Sequence, residues 1–261
     1  MPLMIKRTLA LWQRRELIWM LIQRNLKIRY KHSVVGVFWS MLSPLFLIVI
    51  YSVFLGLLKV PVELPTLVSG IIIWQFLALC LGDGLNSILG NANLVTKASF
   101  PRIILPIAMV GANTVNFLLS FVVLLAYLLL FGSAWGPVWW LLPVLLTQLA
   151  LCLGLTLIVG AANVFFRDTE HVLSVVLLGW FFTSPVIYEP DMITDTFPEW
   201  VHRLFFLNPM SGILTGYRVA LLDHTPVAGG YLLMSAAVAW ALLGIGLLVF
   251  QAAEPRFGDE L

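Results

Sequence analysis

Charge is scarce in this sequence. Acidic and basic residues together make up 11% of the 261-residue chain, and its mean hydropathy is +0.98. Soluble domains carry roughly a quarter charged residues. A chain that is 61% hydrophobic has too little polar surface to cover a water-soluble fold, so lipid is its solvent. The net charge of +2 is too small to argue for a nucleic-acid partner. Cysteine is nearly absent: Cys80 and Cys152 lie inside apolar runs and read as small buried hydrophobes, not as a disulfide or metal site. His32, His171, His202 and His224 are scattered at run edges with no pair at ligand spacing. No Gly-x-x-x-x-Gly-Lys-Ser/Thr loop occurs, so nothing here cradles nucleotide phosphates in the P-loop manner. No charge stands out at mid-bilayer depth, which argues against a proton- or sodium-coupled transporter; Asp83 sits near a run end and reads as interfacial. No internal repeat suggests inverted halves. The basic stretch up to Lys31 and the long apolar run after it do not fit a cleavable signal peptide.

What is present is a series of long apolar runs. Residues 5–31 are amphipathic, with Trp12, Trp19, Ile22, Leu26 and Tyr30 on one helical face and Arg24, Lys27 and Lys31 on another. That pattern predicts a helix lying in the membrane interface. Membrane-crossing helices are predicted over 34–58, 64–82, 103–131, 139–166, 172–188 and 228–250, each long enough, with tilt, for roughly 30 Å of hydrocarbon except the shorter fifth. Between Arg102 and Arg167 there is no Asp, Glu, Lys or Arg. Residues 189–226 differ: Glu189, Asp191, Asp195 and Glu199 mix with Pro190, Pro198, Pro209 and Pro226. Such a segment belongs against protein or water, and it reads as re-entrant or interfacial helices that do not cross. The fold class expected is therefore an all-α integral membrane protein with six transmembrane helices, an N-terminal interface helix and a re-entrant outer segment before the last span.

Orientation follows from Lys and Arg near the span ends. With the N-terminus inside, the inner side holds Lys6, Arg7, Arg14, Arg15, Arg24, Lys27, Arg29, Lys31, Lys97, Arg102, Arg167 and Arg256, and the outer side only Lys59, Arg203 and Arg218. Both termini are expected in the cytoplasm. Trp135, Trp139 and Trp140 form an interfacial aromatic cluster at an outer span end.

Several motifs, in order, resemble the type-2 ABC exporter permeases. They are Arg24-Asn-Leu-Lys-Ile-Arg-Tyr-Lys-His-Ser-Val-Val-Gly36 leading to Trp39 and Pro44, Asn93-Leu-Val-Thr-Lys-Ala-Ser-Phe-Pro-Arg-Ile-Ile-Leu-Pro106, Asn163-Val-Phe-Phe-Arg-Asp168, Thr183-Ser-Pro-Val-Ile-Tyr188 and Asn208-Pro-Met210. The similarity runs from about residue 20 to 250 and is greatest to the branch exporting O-antigen and related surface polysaccharides. Thr183-Ser184-Pro185 is a small departure from a Thr-Pro pairing in relatives.

The resemblance implies a homodimer of this chain with two copies of an ABC-type ATPase. ATP and Mg would be held by that partner, and no cofactor by this chain. It implies an undecaprenyl-diphosphate-linked glycan as cargo, carried across the bacterial inner membrane to the periplasm. The chain would be a permease, not an enzyme. It implies that the cytoplasmic loop 93–102 docks in the ATPase, with Phe100 as apolar anchor beside Pro101 and with Lys97 and Arg102 at the rim; Arg167 and Asp168 are further candidate contacts. Arg24, Lys27, Arg29 and Lys31 lie where the cargo diphosphate would meet the membrane, and Arg offers a planar fork for phosphate oxygens. The same cations also serve as topology signal and attract anionic lipid. Trp39 and Phe46 on span one, and Phe181 and Tyr188 with Ser184 between them on span five, are candidate aromatic contacts for a sliding glycan or simply packing. Residues 189–226 would form a periplasmic gate. The competing readings are a type-2 permease for teichoic acid, capsule or a drug, a passive channel, and a membrane-embedded transferase. The last needs convergent carboxylates or histidines, and no such set appears.

Overall fold

The computed structural model describes residues 14–31, 36, 39–57, 59, 63–97, 100–130, 136–194, 197–222 and 230–260, and among these every regular element is helical. In chain order they are α1 Arg15–Tyr30, α2 Trp39–Leu57, α3 Leu64–Leu85, α4 Ala92–Lys97, α5 Ile104–Leu130, α6 Leu141–Phe165, α7 Thr169–Thr183, α8 Asp191–Thr194, α9 Glu199–Leu207, α10 Pro209–Leu222, α11 Gly230–Ala253 and α12 Phe257–Glu260. Short 3-10 turns at Leu89–Asn91, Val138–Trp140 and Glu254–Arg256 lead into α4, α6 and α12.

Four helices among the described residues are long and apolar enough to cross a bilayer: Leu64–Leu85, Ile104–Leu130, Val138–Phe165 and Leu232–Glu260. Two shorter apolar helices, Pro44–Leu57 within α2 and Thr169–Thr183, accompany them. The chain is thus a multi-pass membrane protein. The fifth apolar run is helical only to Thr183; residues 184–188 turn away with Pro185, whose missing N–H cannot continue the ladder. At 1.5 Å per residue, α7 is only about 22 Å long.

α3 is the centre. From Thr66 to Leu85 three residues in four are buried. Its polar neighbours use its backbone carbonyls as acceptors. Gln148 Nε2 donates to the Ile73 carbonyl at 2.9 Å, Thr156 Oγ1 to that of Cys80 at 3.1 Å and Asn163 Nδ2 to that of Leu85 at 3.1 Å. Donors and acceptors advance together along both helices, so α6 and α3 run parallel. α5 runs the other way: Asn113 Nδ2 donates to the Leu79 carbonyl, while Phe117 stacks on Phe76 at 4.6 Å.

α6 and α11 approach through glycine. A Cβ on Gly154 would lie 2.6 Å from the Leu243 nitrogen, and one on Gly246 would lie 2.3 Å from the Gly154 carbonyl oxygen. Small residues of this kind let membrane helices touch backbone to backbone. Between them, α10 is wedged under one end of the bundle, and all but two of its residues are buried.

Gly154→Val puts two methyl groups where Leu242 and Leu243 already stand. The expected result is a loss of about 1–3 kcal/mol or more, read as a lower thermal midpoint of the detergent-solubilised protein. A wild-type midpoint would contradict this close packing.

Candidate functional site

The interface helix does not lie free. α1 docks on α5 through Leu17, Ile18, Leu21 and Ile22, with Leu21 6% exposed and Ile22 filling the notch at Gly111. The docked face lies about a third of a turn round from the Trp19–Ile22–Leu26–Tyr30 stripe, and Trp19 is exposed. Residues 1–13, including Trp12, lie outside the described part. Three polar contacts fix α1 against the bundle. Arg24 donates to Asn91 Oδ1, Arg29 forms an ion pair with Asp83, and the Tyr30 hydroxyl donates to Asn116 Oδ1 at 2.7 Å. Lys27 and Lys31 remain exposed, without a partner among the described residues.

Behind Arg29 and Tyr30 lies a recess of about 250 Å³ between α1, α3 and α5. Asn113, Asn116 and Ser120 descend one face of α5 into it, opposite Gln75 of α3, with Phe76 and Phe117 between. Asn113 Nδ2 also donates to Asp83 at 2.9 Å, whereas Asn113 Oδ1 and Asn116 Nδ2 have no protein partner among the described residues. The recess shares Ile72 and Ser120 with an apolar groove of about 180 Å³ that runs on toward Leu64 and Tyr127. Polarity therefore falls continuously from the cationic surface of α1 into the bilayer. The asparagines at 113 and 116 were visible as polar residues in an apolar run. The helical spacing with Ser120 is the signal that marks them.

The second group lies at the far end of α3. Phe181 is 8% exposed, stacked on Tyr51 at 5.5 Å and edge-on to Trp74 at 5.6 Å. Ser184 is fully buried; its hydroxyl donates to the Trp180 carbonyl and accepts from Asn208 Nδ2, each at 2.8 Å. Asn208 Oδ1 accepts from the Trp180 indole at 2.8 Å and from the Met210 N–H at 3.0 Å, so it caps α10 while tying it to α7. The Tyr188 hydroxyl donates to the Phe182 carbonyl at 3.2 Å. Phe46 is 57% exposed on α2, apart from this cluster. Trp39 opens α2, but its side chain lies outside the described part.

Arg218 organises this end. It is 3% exposed, and its guanidinium donates to the carbonyls of Tyr188 at 3.1 Å, Thr66 at 3.2 Å and Val186 at 3.0 Å. Among the described residues, α10 is not one of the helices long and apolar enough to cross a bilayer. Burial pushes the guanidinium down to about 10, against the opposing pull of Glu189 and Tyr188, so it keeps its charge at neutral pH. Three carbonyls of the turn after α7 and of the first turn of α3 thus converge on one cation.

The third group surrounds the loop before α5. Phe100 is half-buried in a cluster with Leu94, Val95, Ile103 and Phe257. Pro101 and Arg102 are half-buried beside it, and Lys97 ends α4 with its side chain outside the described part. Arg167 and Asp168 are exposed between α6 and α7. The three groups do not form one pocket. They stand beside α1, at the opposite end of α3 and at the loop before α5.

The ABC-2 type transporter family matches residues 16–222. The O-antigen export system permease protein RfbA of Myxococcus xanthus is 33% identical over 267 aligned residues, covering 99% of this chain and all of the relative. Two proteins of the same description from Klebsiella pneumoniae are 29% and 28% identical, each across 94% of this chain and 95% of the relative.

Two substitutions test the polar contacts. Arg29→Gln alone strands the Asp83 carboxylate, so it should destabilise more than Arg29→Gln with Asp83→Asn. For a pair this accessible the difference is on the order of 1 kcal/mol, and equal midpoints would contradict the pairing. Arg218→Met leaves three carbonyls without their donor, with an expected loss of about 2–4 kcal/mol. A wild-type midpoint would show that they are satisfied otherwise.

Proposed function

This chain belongs to the ABC-2 type transporter family, and on that premise we propose that it is the transmembrane subunit of an exporter of O-antigen-type polysaccharide. It is a transport permease. The observation that carries the cargo class is the 33% identity to an O-antigen export permease along essentially the whole of both chains. A separate ABC-type ATPase, in two copies, supplies the energy from bound ATP and Mg, and two copies of this chain form the passage. α7 supports the dimer: it packs mainly on α3 and α6 and leaves Val172, Val175, Leu178 and Phe182 exposed.

Six crossings follow in this reading. The parallel course of α3 and α6, with α5 antiparallel to α3, supports them, with α2 and α7 as the shorter crossings. The positive flanks support cytoplasmic termini in a bacterial inner membrane. Residues 189–226 then stay on the periplasmic side as a gate, held by Arg218 and Asn208.

The cargo is a glycan joined through a diphosphate to undecaprenol. The diphosphate meets α1 at Lys27 and Lys31, which are exposed and unpartnered among the described residues. Arg24 and Arg29 join by exchanging Asn91 and Asp83 for phosphate oxygens. Phe46 and Tyr188 offer sugars a weak, sliding surface, with the buried Phe181 and Ser184 fixing its geometry and Trp39 as a further candidate contact. Loop 93–102 carries the stroke of the ATPase through Phe100, Pro101, Lys97 and Arg102, while Arg167 and Asp168 rim the same contact.

The test is co-purification with the ATPase followed by ATP hydrolysis as lipid-linked glycan is added. Each cation near such a surface contributes about 1 kcal/mol, so Lys27→Gln with Lys31→Gln should raise the half-maximal glycan concentration about ten- to thirty-fold. Phe100→Ala should lower the stimulation itself. A wild-type complex that glycan does not stimulate would overturn the cargo assignment, and unaltered variants would remove these residues from it.

A further inference from the structure

Residues 254–260 follow the last long helix and lie beyond the family match, yet they fold back on the cytoplasmic loop. We propose that this segment is a clamp that positions the loop for the ATPase, with Glu254 as the positioning residue and Phe257 as its anchor. The clamp's role in energy coupling rests on the permease reading; the contact itself does not.

The contact is reciprocal between two residues far apart in sequence. Glu254 Oε1 accepts from the backbone N–H of Arg102 at 2.9 Å, and the Arg102 guanidinium donates to the Glu254 carbonyl. Arg102 stands just before α5, where the first turn has N–H groups with no intrahelical acceptor. A carboxylate there accepts from the Arg102 N–H, just ahead of that turn, and complements the helix dipole. It arrives from the end of α11, not from the local sequence.

Phe257 secures the segment. It is fully buried, with its ring 5.3 Å from that of Phe250 and 6.0 Å from that of Phe165. The same cluster contains Leu94, Val95, Phe100 and Ile103 of the loop. α4 has six residues, too few to hold a helix by itself in water. Its position therefore depends on what it packs against, and α12 is one of those surfaces. The loop is also bound at its start, where Asn91 accepts from Arg24. A push on the loop thus reaches α1 from one end and α11 from the other.

Glutamine at 254 keeps an oxygen for the Arg102 amide; alanine does not. In the whole transporter in liposomes, Glu254→Ala should lower glycan exported per ATP hydrolysed several-fold, while Glu254→Gln stays within about two-fold of wild type. Amide exchange of the peptide containing Arg102 should quicken about ten-fold in Glu254→Ala, the loss of one charge-assisted bond. The ratio per ATP is normalised to assembled complex, so a mere fall in yield does not move it. If Glu254→Ala fails to assemble, Glu254→Asp replaces it: the charge remains but the carboxylate is drawn back, and coupling must fall. Wild-type export per ATP in Glu254→Ala (or in Glu254→Asp where it stands in), or equal loss in Glu254→Gln, overturns the clamp. Should the wild-type complex itself not export, the permease reading fails instead, and amide exchange in the isolated chain still decides whether Glu254 holds the loop.

Discussion

A polar side chain within lipid has to find its hydrogen-bond partner inside the protein, because no solvent is there to supply one. In this chain the chief acceptors are the backbone carbonyls of α3. Gln148, Thr156 and Asn163 reach them from α6, Asn113 from α5 and Arg218 from α10. The carbonyls of Ile73, Leu79 and Cys80 lie within α3 and take the side-chain bond on the lone pair left by the helix ladder, while that of Leu85, at the helix end, has no ladder donor. The hydrophobic effect cannot set the rotation of one lipid-facing helix against another, since lipid is as apolar as leucine. The carbonyl contacts can, and they hold α5, α6 and α10 around one axis.

From that arrangement comes a division of labour. The polar atoms in the middle of the bundle are largely committed to holding it together. What is left for other molecules lies at the two ends: lysines and an amide-lined recess beside α1, exposed rings on α2, and the half-buried loop before α5. A permease in the ABC-2 family is consistent with such a distribution. It has no need to do chemistry within the bilayer, only to present a surface that moves when pushed. In the proposed function the push falls on the loop before α5, where α1, α5 and the segment after α11 meet.

Much of this was legible in the residues. The absence of charge between Arg102 and Arg167 marked two membrane helices, and the mixed Pro and Glu after Tyr188 marked a different kind of segment. Partners were not legible. Arg29 reads as a surface cation, but it is paired with a carboxylate 54 positions away; Arg102 reads as a rim charge, but it bonds to Glu254 152 positions away. Helical periodicity tells which residues share a face and is silent on which faces meet. Ser184 and Phe181, singled out for their spacing, are engaged with Trp180, Asn208, Tyr51 and Trp74. Asn208 showed only as part of a motif, and its capping of α10 required the fold. The stripe of Asn113, Asn116 and Ser120 was readable from spacing, yet its meaning depends on the recess opposite α3.

The central claim is that this chain shapes a passage and draws its energy from another protein. The most direct measurement is transport of lipid-linked glycan into liposomes holding the purified chain alone or the chain with its ATPase, with ATP hydrolysis followed in both. The expected result is that the chain alone neither hydrolyses ATP nor moves glycan, and that both appear together once the ATPase is present. ATP-dependent movement of glycan by the chain alone would contradict it.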